Sequence, residues 1–302
     1  MSAAPRIGRR VALALGLLTA TASFAACGDD GTSGADGDGR LQVIASFYPL
    51  AELATAVGGD AVEVANLTPP GVEPHDVELA PSQVDRLEDA DLVVYVGEGF
   101  QPAVADVVAR RDGPSLDVLD NLGAAAEGDD PHFWLDPTLL AASAEAVADA
   151  LADTSPAQAD AFRANARRYQ ETLRALDAEL QSGLANCERT EIVTAHGAFS
   201  YFANRYGLTE LPIAGLSPEA EPSADRLAEL ADLVEEKGIT TVFTEALVTP
   251  RVADALAREA GVDTTVLNPI EGLTEDELDD GHDYASLMRQ NLAALRDALG
   301  CR

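Results

Sequence analysis

The alternation of short β-branched runs with helical patterns constrains the fold of this chain more than any other feature. Seven such runs occur, three in the first hundred residues and four after residue 190, namely 41–47, 62–67, 92–96, 191–195, 211–214, 240–243 and 264–267. Each early run is followed by a helical pattern or by a turn rich in Gly and Pro. Strands that alternate with helices are typical of parallel sheets covered by helices on both faces. We therefore predict an α/β fold with two lobes.

A long helical pattern separates the two groups of strands. It opens at Thr154, where Ser155 before Pro156 suits an N-cap followed by proline at the first helical position. Its apolar residues recur at steps of three and four, namely Phe162, Ala166, Tyr169, Leu173, Leu176, Leu180 and Leu184. A helix of about 28 residues is roughly 42 Å long. We predict a rigid backbone helix over 154–184, with an N-terminal lobe at 41–153 and a C-terminal lobe at 185–302.

The first 26 residues are typical of a secretory signal. Arg6, Arg9 and Arg10 precede an apolar run over 11–26, which is too short for a comfortable membrane span. The run ends in Phe-Ala-Ala-Cys, which resembles the lipobox of bacterial lipoproteins. The resemblance implies that Cys27 is the lipid-modified first residue of the mature protein. General signal-peptidase cleavage near Ala26 is the alternative.

Residues 27–40 contain no apolar side chain larger than Ala after the cysteine, so we predict a lipid-anchored flexible tether there. We expect the folded part to lie outside the cytoplasm, attached to the cell membrane through the lipid on Cys27. Two further cysteines remain, Cys187 and Cys301. In an oxidising compartment they most simply form one disulfide, with two free thiols as the alternative.

Charge excludes one class of partner. The chain has 52 acidic and 20 basic residues, a net charge of -32, so it will not bind a nucleic-acid backbone by charge. Removal of residues 1–26 takes away three Arg and no acid, which leaves 17 basic against 52 acidic residues, or -35. An acidic surface attracts cations weakly but favours no particular metal.

The chain has only four histidines, and three of them lie at or just after predicted strand ends, where α/β folds build their sites. These three are His75, His132 and His196, while His282 precedes the last helix. Their wide spacing forms no local metal motif. On spacing alone, each histidine is more often a hydrogen-bonded structural residue than a metal ligand.

The segments around these histidines resemble those of a known family. Six segments occur in the order found in the zinc and manganese class of solute-binding proteins for ABC importers: TPPGVEPHDVE, DPHFWLDP, EIVTAHGAFSYFANRYGL, IAGLSPEAEPSADRL, VFTEALV and DYASLMRQNLAAL. The resemblance covers the chain from about Leu41 to Cys301. It implies two α/β lobes joined by a rigid helix, with one metal ion in the cleft between the lobes. It also implies delivery of that ion to a membrane permease and no enzymatic activity.

The resemblance assigns the metal ligands residue by residue. His75, His132 and His196 match the family's histidine positions, and the third of these is glutamate in manganese members. For the fourth ligand the match is an acid just before the last helix, Asp283. Glu245 and His282 are the alternatives for that position.

The chemistry of this donor set agrees with zinc. Three imidazole nitrogens and one carboxylate suit tetrahedral Zn²⁺, whereas manganese prefers more oxygen ligands. Asp76 and Asp136 lie near the histidines and are candidates to hold their tautomers. The expected protein is a monomeric zinc receptor of an ABC importer. The alternatives are a manganese or iron receptor on the same scaffold, and a three-histidine zinc hydrolase with Glu245 as its base.

Overall fold

A computed structural model describes residues 39–97, 99–125 and 128–302 of the chain. The predicted signal at 1–26, Cys27 and most of the predicted tether lie outside the described residues, so these remain predictions. Within the described ranges, no helix is long and apolar enough to cross a membrane. Residues Gly39–Arg302 form a single compact unit that contains both predicted groups of strands.

The first sheet has four strands: β1 (Leu41–Ala45), β2 (Val62–Asn66), β3 (Leu92–Tyr95) and β4 (Ser115–Asp117). All are parallel, in the order β2-β1-β3-β4, and Val43 of the central strand is paired with Val64 on one side and Leu92 on the other. The fourth strand was absent from the prediction because its three residues, Ser-Leu-Asp, contain no β-branched side chain.

The second sheet repeats this arrangement with β5 (Glu191–Thr194), β6 (Thr209–Pro212), β7 (Thr241–Thr244) and β8 (Asp263–Val266). Its order is β6-β5-β7-β8, again fully parallel. In each sheet the second strand in sequence therefore lies on one side of the first strand, and the third and fourth strands lie on the other side. The prediction of two parallel α/β lobes is confirmed.

Helices connect and cover the strands. Their bounds are α1 Tyr48–Gly58, α2 Pro81–Asp89, α3 Pro102–Val108, α4 Val118–Leu122, α5 Pro137–Thr154, α6 Ala159–Leu184, α7 Ser200–Tyr206, α8 Ala224–Lys237, α9 Arg251–Ala260, α10 Glu275–Asp279 and α11 Tyr284–Leu299. Short 3₁₀ turns interrupt the connections, and two of them, Pro74–Asp76 and Phe133–Leu135, are close to predicted site residues.

Helix α6, with 26 residues, lies between the two sheets in the sequence. Its predicted apolar stripe is buried except at Tyr169, which is half-buried. The helix packs against α1 and α5 of the first half and against α11 of the second. The predicted start was too early, because α5 ends at Thr154 and a 3₁₀ turn over Pro156–Gln158 separates it from α6.

The largest buried cluster includes side chains from both halves, such as Phe47 and Trp134 from the first and Phe243 and Leu295 from the second. The two lobes thus share a continuous core. Cys187 and Cys301 are joined by a disulfide, as predicted. It ties the start of the second half to the end of the chain, where the Glu188 amide also donates to the Leu299 carbonyl at 3.0 Å.

Candidate metal centre

Four side chains from separate parts of the chain converge at one buried point. They are His75, His132, His196 and Glu271, and their nearest donor atoms all lie within 4.8 Å of one another. The Nε2 atom of His132 is 3.3 Å from Nε2 of His75 and 3.3 Å from Nε2 of His196. Oε1 of Glu271 is 3.1 Å from the His132 nitrogen and 3.4 Å and 3.3 Å from the other two. The three nitrogens and one carboxylate oxygen face one another.

These spacings fit a tetrahedral metal ion. A regular tetrahedron with edges of about 3.3 Å has its centre about 2.0 Å from each corner, and zinc bonds to nitrogen and oxygen are about 2.0–2.2 Å long. Five of the distances between donor atoms, from 3.1 to 3.4 Å, therefore match those expected around a tetrahedral Zn²⁺ ion.

His75 lies in the 3₁₀ turn Pro74–Asp76, which follows the carboxyl end of β2. The carboxylate of Glu73 accepts a hydrogen bond from the His75 backbone amide at 3.0 Å and so stabilises the start of the turn. The His75 ring meets the ring of Phe100 edge to face, with centroids 4.6 Å apart. Backbone and ring contacts thus fix the direction of this imidazole.

His132 directly precedes the 3₁₀ turn Phe133–Leu135, which leads into α5. Its ring is completely buried and lies 5.2 Å, centroid to centroid, from the Trp134 ring. His196 follows β5 by two residues, and Glu245 follows β7 directly. β5 and β7 are neighbours from which the chain proceeds in opposite directions, the position where open α/β sheets form ligand crevices.

Two carboxylates orient the buried imidazoles. Nδ1 of His132 is 2.7 Å from Oδ1 of Asp130, and Nδ1 of His196 is 2.7 Å from Oε1 of Glu245. A carboxylate that accepts the Nδ1 proton leaves the lone pair on Nε2 free for a metal ion. In the neutral form of each ring, Nε2 therefore presents its lone pair to the enclosed point.

The residues predicted to hold the histidine tautomers were Asp76 and Asp136. Asp136 instead accepts hydrogen bonds from the amide and the hydroxyl of Thr138, both at 2.7 Å, and caps α5. Asp76 is exposed. Closeness in sequence did not decide the acceptor: Asp130, two residues before His132, binds its Nδ1, whereas the carboxylate of Asp136, four residues after it, is turned toward the start of α5.

Glu271 is the donor that the sequence did not indicate. Its side chain is 1% exposed, and neither carboxylate oxygen accepts a hydrogen bond. Burial alone would raise the pKa of this carboxyl, but the three histidines outweigh burial and lower the pKa well below its usual value. A buried carboxylate without hydrogen bonds is stable only beside positive charge.

Without a metal ion, His132 and His196 supply that charge as protons. Burial would lower the pKa of His132, but Asp130 and Glu271 outweigh it and raise the pKa. Burial likewise opposes the charged form of His196, but Glu245 and Glu271 raise its pKa well above the usual value. The arrangement is therefore built to hold a cation, and protons compete with a metal ion for it.

The structure does not bring Asp283 to the histidines. Asp283 is exposed, and its Oδ1 accepts a hydrogen bond from the Ser286 amide at 2.7 Å as the N-cap of α11. His282 lies beside it, with Nδ1 3.2 Å from the Ser286 hydroxyl. Glu245 binds Nδ1 of His196, on the far side of that ring. The fourth donor of this group is therefore Glu271, not the predicted Asp283.

One signal could have indicated Glu271. It lies in the segment Asn-Pro-Ile-Glu-Gly just after β8, so it shares with the histidines a position beyond a strand end. With 52 acids in the chain, that position alone did not separate Glu271 from its competitors.

A cavity of about 360 Å³ borders the donor group through His75, the least buried of the four, whose side chain is 6% exposed. It is lined by His75, Gly99, Asp129, Pro131, Leu216 and Ser217. Residues from both halves thus form its walls, and His75 is the donor nearest to them.

Fold and site together define a two-lobed α/β protein with a buried donor group suited to a divalent metal ion. The chain matches the family model described as zinc-uptake complex component A, periplasmic, over residues 43–298, and so belongs to that family.

Individual relatives agree with this assignment. The chain is 37% identical over 279 residues to the zinc-binding lipoprotein AdcA of Streptococcus pneumoniae, which covers 86% of this chain and 56% of the relative. It is 35% identical over 309 residues to the high-affinity zinc uptake system protein ZnuA of Bacillus subtilis, a match that covers 94% of this chain and 97% of the relative. The crystal structure of the Zn(II)-bound ZnuA-like domain of pneumococcal AdcA matches with a TM-score of 0.74 at 36% identity, covering 86% and 99%. The chain thus spans about half the length of the streptococcal relatives.

Proposed function

We propose that this chain is the extracytoplasmic receptor of an ABC-type zinc importer, which captures Zn²⁺ and delivers it to a membrane permease. The observation that carries the proposal is the buried group of three imidazole nitrogens and one carboxylate oxygen, all within 4.8 Å of one another. Membership of a zinc-uptake family supports the transport role. The relatives named for zinc support the choice of metal.

In this proposal the four ligands are His75, His132, His196 and Glu271. Three neutral imidazoles and one carboxylate leave a net charge of +1 on the divalent ion, which is less costly to bury than +2. Nitrogen-rich tetrahedral coordination favours zinc over manganese, which prefers more oxygen ligands. The donor set therefore supports zinc rather than manganese as the transported ion.

A hydrolase is the less suitable assignment. Catalytic zinc sites keep one position open for water, whereas Glu271 supplies a fourth protein donor here. Glu245, the candidate base, uses Oε1 to accept hydrogen bonds from the ring and the amide of His196. Glu245 thus lies at the Nδ1 side of the His196 ring, away from the donor group, and Glu271 fills the position that a catalytic water would need.

Attachment to the membrane completes the proposal. The lipobox-like sequence before Cys27 supports lipid modification at that residue, and the residues that follow it suit a tether. The protein would act as a monomer, held beside the permease by the lipid.

Zinc titration of the metal-free protein by calorimetry tests the function and the fourth ligand together. We expect one tight site in the wild type. Glu271→Gln should weaken zinc binding at least about a hundredfold, since loss of a ligand costs more than the tenfold to hundredfold typical of outer-shell partners. The matched control Asp283→Asn should bind as the wild type does. Loss of binding in Asp283→Asn with retention in Glu271→Gln would contradict the assignment.

A further inference from the structure

The residue before Glu271 has an unusual backbone conformation. Ile270 has a φ of +57°, and it alone among the non-glycine residues of the described ranges has a positive φ. This region is disfavoured for a β-branched residue because Cβ approaches a carbonyl oxygen. Ile270 is also fully buried. Its surroundings must therefore hold this conformation.

One set of constraints comes from the second half of the chain. The Ile270 amide donates to Oδ1 of Asn268 at 2.8 Å. Asn268 is in turn bound at both backbone groups by the side chain of Asn291 on α11: its amide donates to Oδ1 at 2.8 Å, and its carbonyl accepts from Nδ2 at 2.6 Å. Asn268 and Asn291 are 6% and 3% exposed, so these bonds are shielded from water.

A further constraint comes from the segment that carries His132. Nε1 of Trp134 donates to the Pro269 carbonyl at 2.8 Å, across 135 residues of sequence. The Trp134 ring is fully buried, and its own carbonyl accepts from the Tyr284 hydroxyl at 2.6 Å. Trp134 therefore connects the turn that carries one proposed ligand directly to the turn that carries another.

Among the described residues, the carboxylate of Glu271 has polar side-chain contacts only with the three histidines. Since these contacts are with the other proposed ligands, the direction from which the carboxylate reaches them depends on the backbone turn and on packing. We propose that Trp134 and Ile270 are positioning residues for Glu271: the tryptophan N–H holds the strained turn that aims this carboxylate at the three histidine nitrogens. This rests on the proposed zinc function, and Zn²⁺ is the ligand whose affinity it sets.

A double-mutant cycle tests the role of Trp134, with Zn²⁺ affinity measured by chelator competition. Trp134→Phe removes the N–H but keeps an aromatic ring, and we expect it to weaken zinc binding about threefold to tenfold, as for loss of one buried hydrogen bond. In a Glu271→Ala background the same change should have less than a twofold effect, because no carboxylate remains to be aimed. Val234→Ala, a truncation in a separate core cluster of the second half, is the control for destabilisation and should leave affinity unchanged.

Equal losses from Trp134→Phe in both backgrounds would overturn the inference, since the tryptophan would then act on the histidines or on general stability. That result would leave the proposed function intact. A wild type that does not bind Zn²⁺ would overturn the proposed function and this inference with it.

A second pair of variants tests the backbone and does not depend on Trp134. Ile270→Gly and Ile270→Ala lose nearly the same buried volume, but only glycine accepts a positive φ without strain. We expect the glycine variant to unfold at the higher temperature and yet to bind Zn²⁺ more weakly, because its freer backbone no longer aims the carboxylate. A glycine variant that is less stable than the alanine variant, or that binds Zn²⁺ at least as tightly, would overturn the inference.

Discussion

Among single residues, the carboxylates of the site divide into two roles. Glu271 faces the Nε2 atoms, while Asp130 and Glu245 bind Nδ1 of His132 and His196. Asp130 is itself held by the second half of the chain, since its carbonyl accepts from the Tyr201 hydroxyl at 3.1 Å and its carboxylate accepts from Ser200. The His132 ring is thus held by Asp130, which is itself held by hydrogen bonds from the second half of the chain. The His196 ring is held by Glu245, which directly follows strand β7.

The Glu245 contact predicts a measurable effect on affinity. Glu245→Gln can accept one hydrogen bond but loses the charge that favours a basic, correctly oriented imidazole, so zinc affinity should fall about tenfold to a hundredfold. Glu210→Gln is a matched control, because Glu210 is also largely buried in the second half but binds Thr194 and the Phe199 amide rather than a histidine. Zinc titration of both variants checks this, and we expect Glu210→Gln to bind as the wild type does. If Glu245→Gln also bound zinc as tightly as the wild type, Glu245 would have no such role.

The sequence indicates the histidines better than the carboxylates for a physical reason. Four histidines in 302 residues can be weighed one by one, and their positions after strand ends bring three of them together. Acidic residues are common in the chain. An acid that caps a helix, such as Asp283, cannot be distinguished from a metal ligand by the residues beside it in the sequence. The conformation of Ile270 depends on Trp134 and Asn291, which are distant in sequence, so no local pattern reports it.

At the level of helices and strands, local patterns predicted most of what is present. The β-branched runs are found as strands, although β6 begins two residues earlier than expected, at Thr209. Two features escaped because tertiary packing decides them. β4 is a strand because it pairs with β3, and the helix expected from Thr154 is broken at a 3₁₀ turn where α5 meets α6.

Helix capping provides a prediction at this level. Asp136 is 8% exposed and caps α5, whereas Ser155, the predicted cap of the long helix, makes no side-chain cap hydrogen bond. Asp136→Ala should therefore lower the free energy of unfolding by about 1 kcal/mol or more, and Ser155→Ala by much less. Urea unfolding of the metal-free protein measures both changes. A larger loss in Ser155→Ala would show that the capping assignment is wrong.

For the molecule as a whole, proton binding at the buried histidines makes metal binding and stability interdependent. The raised pKa values of His132 and His196 mean that the metal-free fold binds protons more tightly than the unfolded chain does. This stabilisation is complete below about pH 6.5 and is lost as pH rises through the raised pKa values. Burial and the charge of Glu271 raise the pKa of Glu73 to about 8, which has the same sign.

Zinc binding has the opposite dependence, because an imidazole must lose its proton to bind the ion. The increase in Tm that Zn²⁺ produces should therefore grow from about pH 6 to about pH 8.5, as the metal-free form loses stability and the affinity rises. Scanning calorimetry with and without one equivalent of Zn²⁺ at several pH values measures this. A constant increase in Tm across that range would mean that protons and zinc do not compete for the same groups.

We propose that one Zn²⁺ ion is bound by His75, His132, His196 and Glu271. Anomalous diffraction at the zinc edge from crystals of the zinc-loaded protein would locate the ion. We expect a single strong peak about 2.0–2.2 Å from the three Nε2 atoms and from a Glu271 oxygen. A peak coordinated by Asp283 in place of Glu271, or a zinc ion bound away from these histidines, would contradict it.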